Sequence, residues 1–128
     1  MDGERSGAAT ISKVDAVEIP SRDWKRARAF YVDTLGLRPD ERSPQEFWVG
    51  DTCFEIWEPE SEGGSFQPQP SAIALLHVAD VAAARAELEA KGVAFDGDIV
   101  DSGVCHMAFF RDPDGNGLML HNRYAPSS

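Results

Sequence analysis

The sequence predicts an α+β fold made of two βαβββ modules, and three observations predict it. An alternating apolar strand runs to an aspartate twice, at Asp23 and again at Asp80. A helical stretch with one apolar face follows each aspartate and stops at a glycine, Gly36 in the first half and Gly92 in the second. Short strand-like runs separated by turn residues then fill the rest of each half. The modules are expected to join into one curved mixed sheet around a cleft, with both helices outside.

In the first module, about residues 11–58, "VDAVEIPSRD" places Val17 and Ile19 on one face of a strand and Ala16 and Glu18 on the other, because strand side chains alternate. Asp23 is suited to cap the following helix, since its carboxylate accepts from the free N–H groups of a first turn. That helix, "WKRARAFYVDTL", gathers Ala27, Phe30, Tyr31 and Leu35 near one face, and Gly36 supplies the left-handed residue that closes it. Strands are expected at about 37–42, 45–50 and 53–58, with "VGD" as a hairpin turn. The last of these sets Phe54 and Ile56 against Cys53, Glu55 and Trp57. The stretch "PESEGGSFQPQP", within about residues 59–70, reads as a surface linker.

The second module, about residues 71–123, repeats the plan. "AIALLHVAD" sets Ala72, Ala74, Leu76 and Val78 against Ile73, Leu75 and His77, and Asp80 caps "VAAARAELEAK". Strands are expected at about 94–100, 104–111 and 117–122. In the turn "DPDGNG", Asp112 can bond back to the backbone, Pro113 pre-sets the bend and Gly115 releases it. The strand that follows parts Leu118 and Leu120 from Gly117, Met119 and His121. In each strand one set packs beneath a helix and the other faces the cleft, and the polar outliers fall in the cleft set. Tails are expected at 1–10 and 124–128.

Composition narrows the function classes. A chain of 128 residues with 42% hydrophobic and 27% charged residues suits one globular domain. Twelve Lys+Arg against 22 Asp+Glu leave a net charge of −10, which opposes nucleic-acid binding. No run approaches the ~18 apolar residues of a membrane span, and "MDGERSGAAT" lacks a signal-peptide core, so a cytoplasmic protein without a membrane partner is expected. Cys53 and Cys105 stand in no metal or redox spacing and read as two free, buried, inert thiols. Neither a glycine-rich phosphate loop nor a GxSxG nucleophile turn occurs, and "DPDG" lacks the spaced ligands of a calcium loop.

The pattern Asp23, Ala27, Phe30–Tyr31, Leu35–Gly36, followed by Val78 and Asp80, "KGV" and Phe110 before "DPDGN", resembles the vicinal oxygen chelate superfamily over about residues 11–123. That group contains glyoxalase I, extradiol dioxygenases, and the fosfomycin- and bleomycin-resistance proteins. The resemblance implies the βαβββ pair and, often, a homodimer, sometimes with modules paired across chains. In its metal-dependent members four cleft ligands, commonly His or Gln and Glu, come from four strands. The matching positions here are Ala16, Glu55, Ile73 and Met119. Ala and Ile cannot bind a metal and a thioether is a poor partner for hard divalent ions, so no metal and no other cofactor are expected. Glu18, His77 and His121 lie two to four positions beyond those sites, about 7 Å or more along a strand, too unevenly to replace them.

What remains is a cleft with Glu55 at its centre. Trp57 and, at the rim, Trp48 offer flat faces for planar or cationic ligands. The apolar surround of Ile73, Leu75 and Met119 is expected to disfavour ionisation of Glu55, suiting it to hold a cation or to move a proton. His121 is placed to pair with Glu18, whether as a catalytic or a structural contact, and His77 sits beside the helix cap, where a structural role is favoured. Three readings follow: a metal-independent small-molecule binder for a cationic or aromatic ligand; a lyase, isomerase or dioxygenase-like enzyme with Glu55, alone or with His121, as acid or base; or an interaction domain whose cleft is filled by Met119, Ile73 and Trp57.

Overall fold

A computed structural model describes residues 9–126. The first module runs β1 (Ala16–Pro20), α1 (Trp24–Arg28), a π-helical turn (Ala29–Thr34), β2 (Arg38–Pro39), β3 (Glu46–Val49) and β4 (Thr52–Trp57). A 3₁₀ turn (Pro59–Glu62) opens the connection to the second module, which runs β5 (Ala72–His77), α2 (Val81–Ala90), β6 (Phe95–Asp101), β7 (Cys105–Arg111) and β8 (Gly117–Arg123). The duplication extends to strand order: β1-β4-β3-β2 in one sheet and β5-β8-β7-β6 in the other. In each, the first strand pairs in parallel with the last and the remaining pairs are antiparallel. This is the expected α+β architecture, its strands hydrogen-bonding as two four-stranded sheets.

Both aspartate caps form as read: the side chain of Asp23 accepts from the Arg26 N–H and that of Asp80 from the Ala83 N–H. The first helix differs. It is α-helical only to Arg28, and the Leu35 N–H then donates to the Phe30 carbonyl, five residues back, at 2.9 Å. One extra residue in one turn leaves the apolar periodicity almost unchanged, so the pattern could not separate the two. The strand expected at 37–42 shrinks to Arg38–Pro39, because Pro39 has no N–H to give and the Asp40 carboxylate takes the N–H groups of Arg42 and Ser43 to turn the chain.

The core lies beneath the helices and is continuous across both modules. Tyr31 stacks on Phe47 with ring centroids 4.7 Å apart, Phe47 stacks on Phe54 at 5.4 Å, and Phe30 reaches Phe110 of the second module at 6.5 Å. The "DPDGN" turn adds a polar lock. The Tyr31 hydroxyl donates to Asp112 Oδ2 at 2.6 Å, and Asn116 Nδ2 donates to that oxygen at 2.9 Å and to the Pro20 carbonyl at 2.8 Å. Burial, then the Asp112 carboxylate, push the Tyr31 hydroxyl far up from its ordinary value, so it stays a donor.

The connection is less free than its composition suggests. Phe66 is buried under the Arg22 guanidinium, and the Gly117 N–H donates to the Gln69 carbonyl at 2.7 Å. The approach is so close that a Cβ on Gly117 would lie 2.6 Å from the Pro70 carbonyl oxygen. At the other end of the second module, the N–H groups of Tyr124 and Ala125 both donate to the Val104 carbonyl, which ties down the start of the expected tail. Most of the expected tail at 1–10, and residues 127–128, lie outside the described residues.

Candidate functional site

Strand register builds the site. Parallel pairing sets Glu18 of β1 beside Glu55 of β4, and antiparallel pairing sets Glu46 of β3 on the other side of Glu55. Three carboxylates therefore form a row across the sheet face that points away from the core, since Phe54 and Ile56, the alternate residues of β4, are buried. Trp57 follows Glu55 on the same face. A cavity of about 430 Å³ gathers Glu18, Glu55, Glu58 and Glu62 around Trp57 and Gln45, and among the described residues no basic side chain lines it. A second cavity of about 450 Å³ shares Glu18 and Trp57 and extends to Ile73 of β5 and to Gln67 and Gln69 of the connection.

The carboxylates differ in their surroundings. Glu58 Oε2 accepts from the Trp24 N–H at 2.8 Å, so that side chain is anchored at the start of α1. Glu18 is pushed above its ordinary value by desolvation first, then by its hydrogen bond to Glu55 and the charges of Glu55 and Glu62. The sequence pointed to Glu55 as the carboxyl reluctant to ionise. The upward shift falls on Glu18, first through desolvation and then through Glu55, which stands beside it where His121 was expected. Cys53 is pushed up by burial and by Glu46, whose Oε1 lies 3.6 Å from its Sγ, and both thiols are free and buried. A thiol raised in this way is a poor nucleophile.

The second module presents a different face. Leu75 lies between its register partner Met119 and solvent, 56% exposed, and Met119 in turn pairs with Phe109. His77 pairs with His121, and His121 with Met107, so the expected Glu18–His121 neighbours are replaced by Glu18–Glu55 and His77–His121. Met119 and His121 are half-buried and His77 is exposed. Trp48 shares the outward face with Cys53, but its Nε1 donates to Asp40 Oδ1 at 3.0 Å and it lines a separate depression with Arg38 and Asp40. The structure thus brings Glu18, Glu55, Trp57 and Ile73 around adjoining cavities and leaves Trp48, Leu75, His77, Met119 and His121 outside them.

Sequence reading passed over three contributors. Glu58, Glu62 and Gln45 come from segments read as a strand end, the linker and a strand start, and only tertiary folding brings them to the cavity. It also passed over His106, whose Nε2 lies 3.4 Å from Asp101 Oδ2, with the Tyr124 hydroxyl donating to Asp101 Oδ1 at 2.7 Å. The Gly103 N–H and then Tyr124 hold the Asp101 carboxyl below its ordinary value. This cluster borders the first turn of α2, on the helix side of the sheet.

Among the described residues no three His, Cys, Asp or Glu side chains converge to hold a metal ion. Ala16 stands beside Cys53, Ile73 at the cavity edge and Met119 against Leu75, so Glu55 is the one carboxylate at the four positions. That donor set does not fit a divalent cation.

The model of the Glyoxalase/Bleomycin resistance protein/Dioxygenase superfamily matches residues 13–120. The chain belongs to that superfamily. Solved structures of similar fold include TnmS3, an antibiotic binding protein from Streptomyces sp. CB03234, at 30% identity over 91% of this chain and 99% of that one, with a TM-score of 0.69. Lactoylglutathione lyase from Agrobacterium tumefaciens is 18% identical over 87% of this chain and 93% of its own, with a TM-score of 0.72. A putative glyoxalase family protein from Bacillus anthracis is 20% identical over 91% and 98%, with a TM-score of 0.75. The last two likenesses carry the fold alone. No curated protein matches the chain. Among the described residues, no helix of this superfamily member is long and apolar enough to cross a membrane.

Proposed function

We propose that the protein binds a small cationic aromatic molecule in the acidic cavity of its first module, without a metal. The observation that carries this reading is the convergence of Glu18, Glu55, Glu58 and Glu62 on Trp57 with, among the described residues, no basic side chain in the lining. Carboxylates of one sign in a concave, partly desolvated site concentrate cations, and an indole face adds a cation–π contact. The likeness to an antibiotic binding protein at 30% identity supports small-molecule capture. Leu75, Met119 and Phe109 form an outward apolar face on the second module, and its chemistry supports a homodimer in which that face meets the cleft of a second copy.

One observation favours a second reading. Two carboxyls side by side, one held above its ordinary value, form the kind of pair that donates and accepts protons, so Glu55 with Glu18 could serve a lyase or isomerase. His121 is not beside them.

Thermal shift separates these. Ethidium, a planar cation, should raise the melting temperature of the protein and anthracene-9-methanol, a neutral planar compound, should not. EDTA should change neither result. A melting temperature that falls with EDTA, or stoichiometric metal in the purified protein, contradicts the metal-free binding reading. Turnover lost in Glu55→Gln would favour the enzyme.

A further inference from the structure

The two modules meet along a seam on the helix side of the sheets, behind the acidic cleft, and the seam is not filled. A cavity of about 200 Å³ opens there between Leu35, Leu37 and Val49 of the first module and Leu76, Ala84 and Leu88 of the second. All six are only half-buried, whereas Phe110 and Leu120, deeper in the same cavity, are almost completely buried. Two modules packed to native density would bury that surface against each other. A cavity of this volume is below the ~300 Å³ at which drug-sized sites begin, which suits a fragment-sized molecule.

The chain enters this cavity through its π-helical turn. The Leu35 N–H bonds five residues back to Phe30, so the turn carries one residue more than an α-helix would, and Leu35 and Leu37 follow it directly into the lining. Such turns recur at functional sites. Among the described residues, Glu87 and His77, both exposed, are the polar side chains of the lining. Lys91, one helical turn after Glu87, sends its ammonium to the Thr34 carbonyl at 3.4 Å and does not line the cavity.

We propose that the seam is a second binding site, for a fragment-sized apolar molecule carrying an amine, with its hydrocarbon part between the modules and its ammonium at Glu87. The Glu87 carboxylate selects a cation over an anion of the same shape, and His77 offers a hydrogen bond beside it. A ligand here touches both modules and braces one against the other.

The test uses 2-phenylethylamine and its near-isosteric acid 3-phenylpropanoate as probes, followed by methyl spectra of the full chain labelled at Leu and Val. A methyl readout separates this site from the acidic cleft, where an amine also gathers. The amine should shift the methyl signals of Leu35, Leu37, Val49, Leu76 and Leu88 at millimolar concentration, and the acid should do so at least tenfold more weakly. Ala84→Phe, which fills the void from α2, should abolish those shifts without lowering the melting temperature, and Glu87→Gln should erase the preference for the amine. Glu55→Gln should leave them intact. Seam methyl signals that do not move with the amine, that move equally with the acid, or that still move in a folded Ala84→Phe protein overturn the proposal.

Discussion

The two modules share one topology and carry opposite chemistry on their outward faces. In the first, the β1–β4–β3 register aligns Glu18, Glu55 and Glu46, with Trp57 beside them. In the second, the equivalent β5–β8–β7 register aligns Leu75, Met119 and Phe109, with His77 and His121 beyond. The second module also carries the "DPDGN" turn, whose Asp112 takes the Tyr31 hydroxyl of the first, while the corresponding turn in the first module is the bare hairpin at Gly50. Backbone plan and surface chemistry are therefore set by different residues. The buried alternation and the caps fix where strands lie, and the outward positions are free to become acidic on one module and apolar on the other.

The comparison breaks most severely at the lock. Asp112→Ala leaves the buried Tyr31 hydroxyl and the Asn116 amide without their shared acceptor, and the expected loss is about 3 kcal/mol, or a fall of about 10 °C in melting temperature. Tyr31→Phe, which removes one donor and leaves no orphan of its own, should cost about 1 kcal/mol. Urea unfolding of both variants checks the order.

The two faces can then be tested one at a time. Glu55→Gln should weaken ethidium binding about tenfold, equivalent to ~1.4 kcal/mol, with the fold intact. Leu75→Glu, at an exposed position, should leave monomer stability within ~0.5 kcal/mol while shifting sedimentation of the proposed dimer toward monomer. Ligand binding lost in Leu75→Glu would show that the two faces work as one site; dimerisation unaffected by it would remove the apolar face from the interface.

The smallest effect concerns Glu18. Its folded value is raised, so the stability it contributes is fully present when it is protonated, below its ordinary value of 4.5, and is lost as pH rises through the higher folded value. Glu18→Gln cannot ionise. It should match the wild type in acid and melt a degree or two higher at neutral pH, and a differential melting curve across pH 3–8 reads the crossover. An equal offset at every pH would mean that Glu18 and Glu55 do not interact.

Much of the fold was legible because its determinants are local. Asp23 and Asp80 cap, Gly36 and Gly92 close, and the alternation of Val17 and Ile19 or of Leu118 and Leu120 reports burial directly. The π-turn escaped because Ala29–Thr34 keeps nearly the same apolar spacing as an α-helix. The face of Glu55 and Trp57 was legible from period two. The neighbours of Glu55 were not, since pairing of β1 with β4 depends on register between residues 37 apart in sequence, such as Glu18 and Glu55, which alternation alone does not set. That is why His121 was matched with Glu18, and why Glu58 and Glu62, in a segment read partly as linker, went unnoticed as walls of the cavity.

The central claim is that the acidic face of the first module captures a planar cation without a metal. Isothermal titration of ethidium into the protein and into Glu55→Gln, each in the presence of EDTA, tests it most directly. Binding to the wild type should be unchanged by EDTA and weakened about tenfold by Glu55→Gln. Binding that appears only after a divalent metal is added, or that is equal in the two proteins, would contradict it.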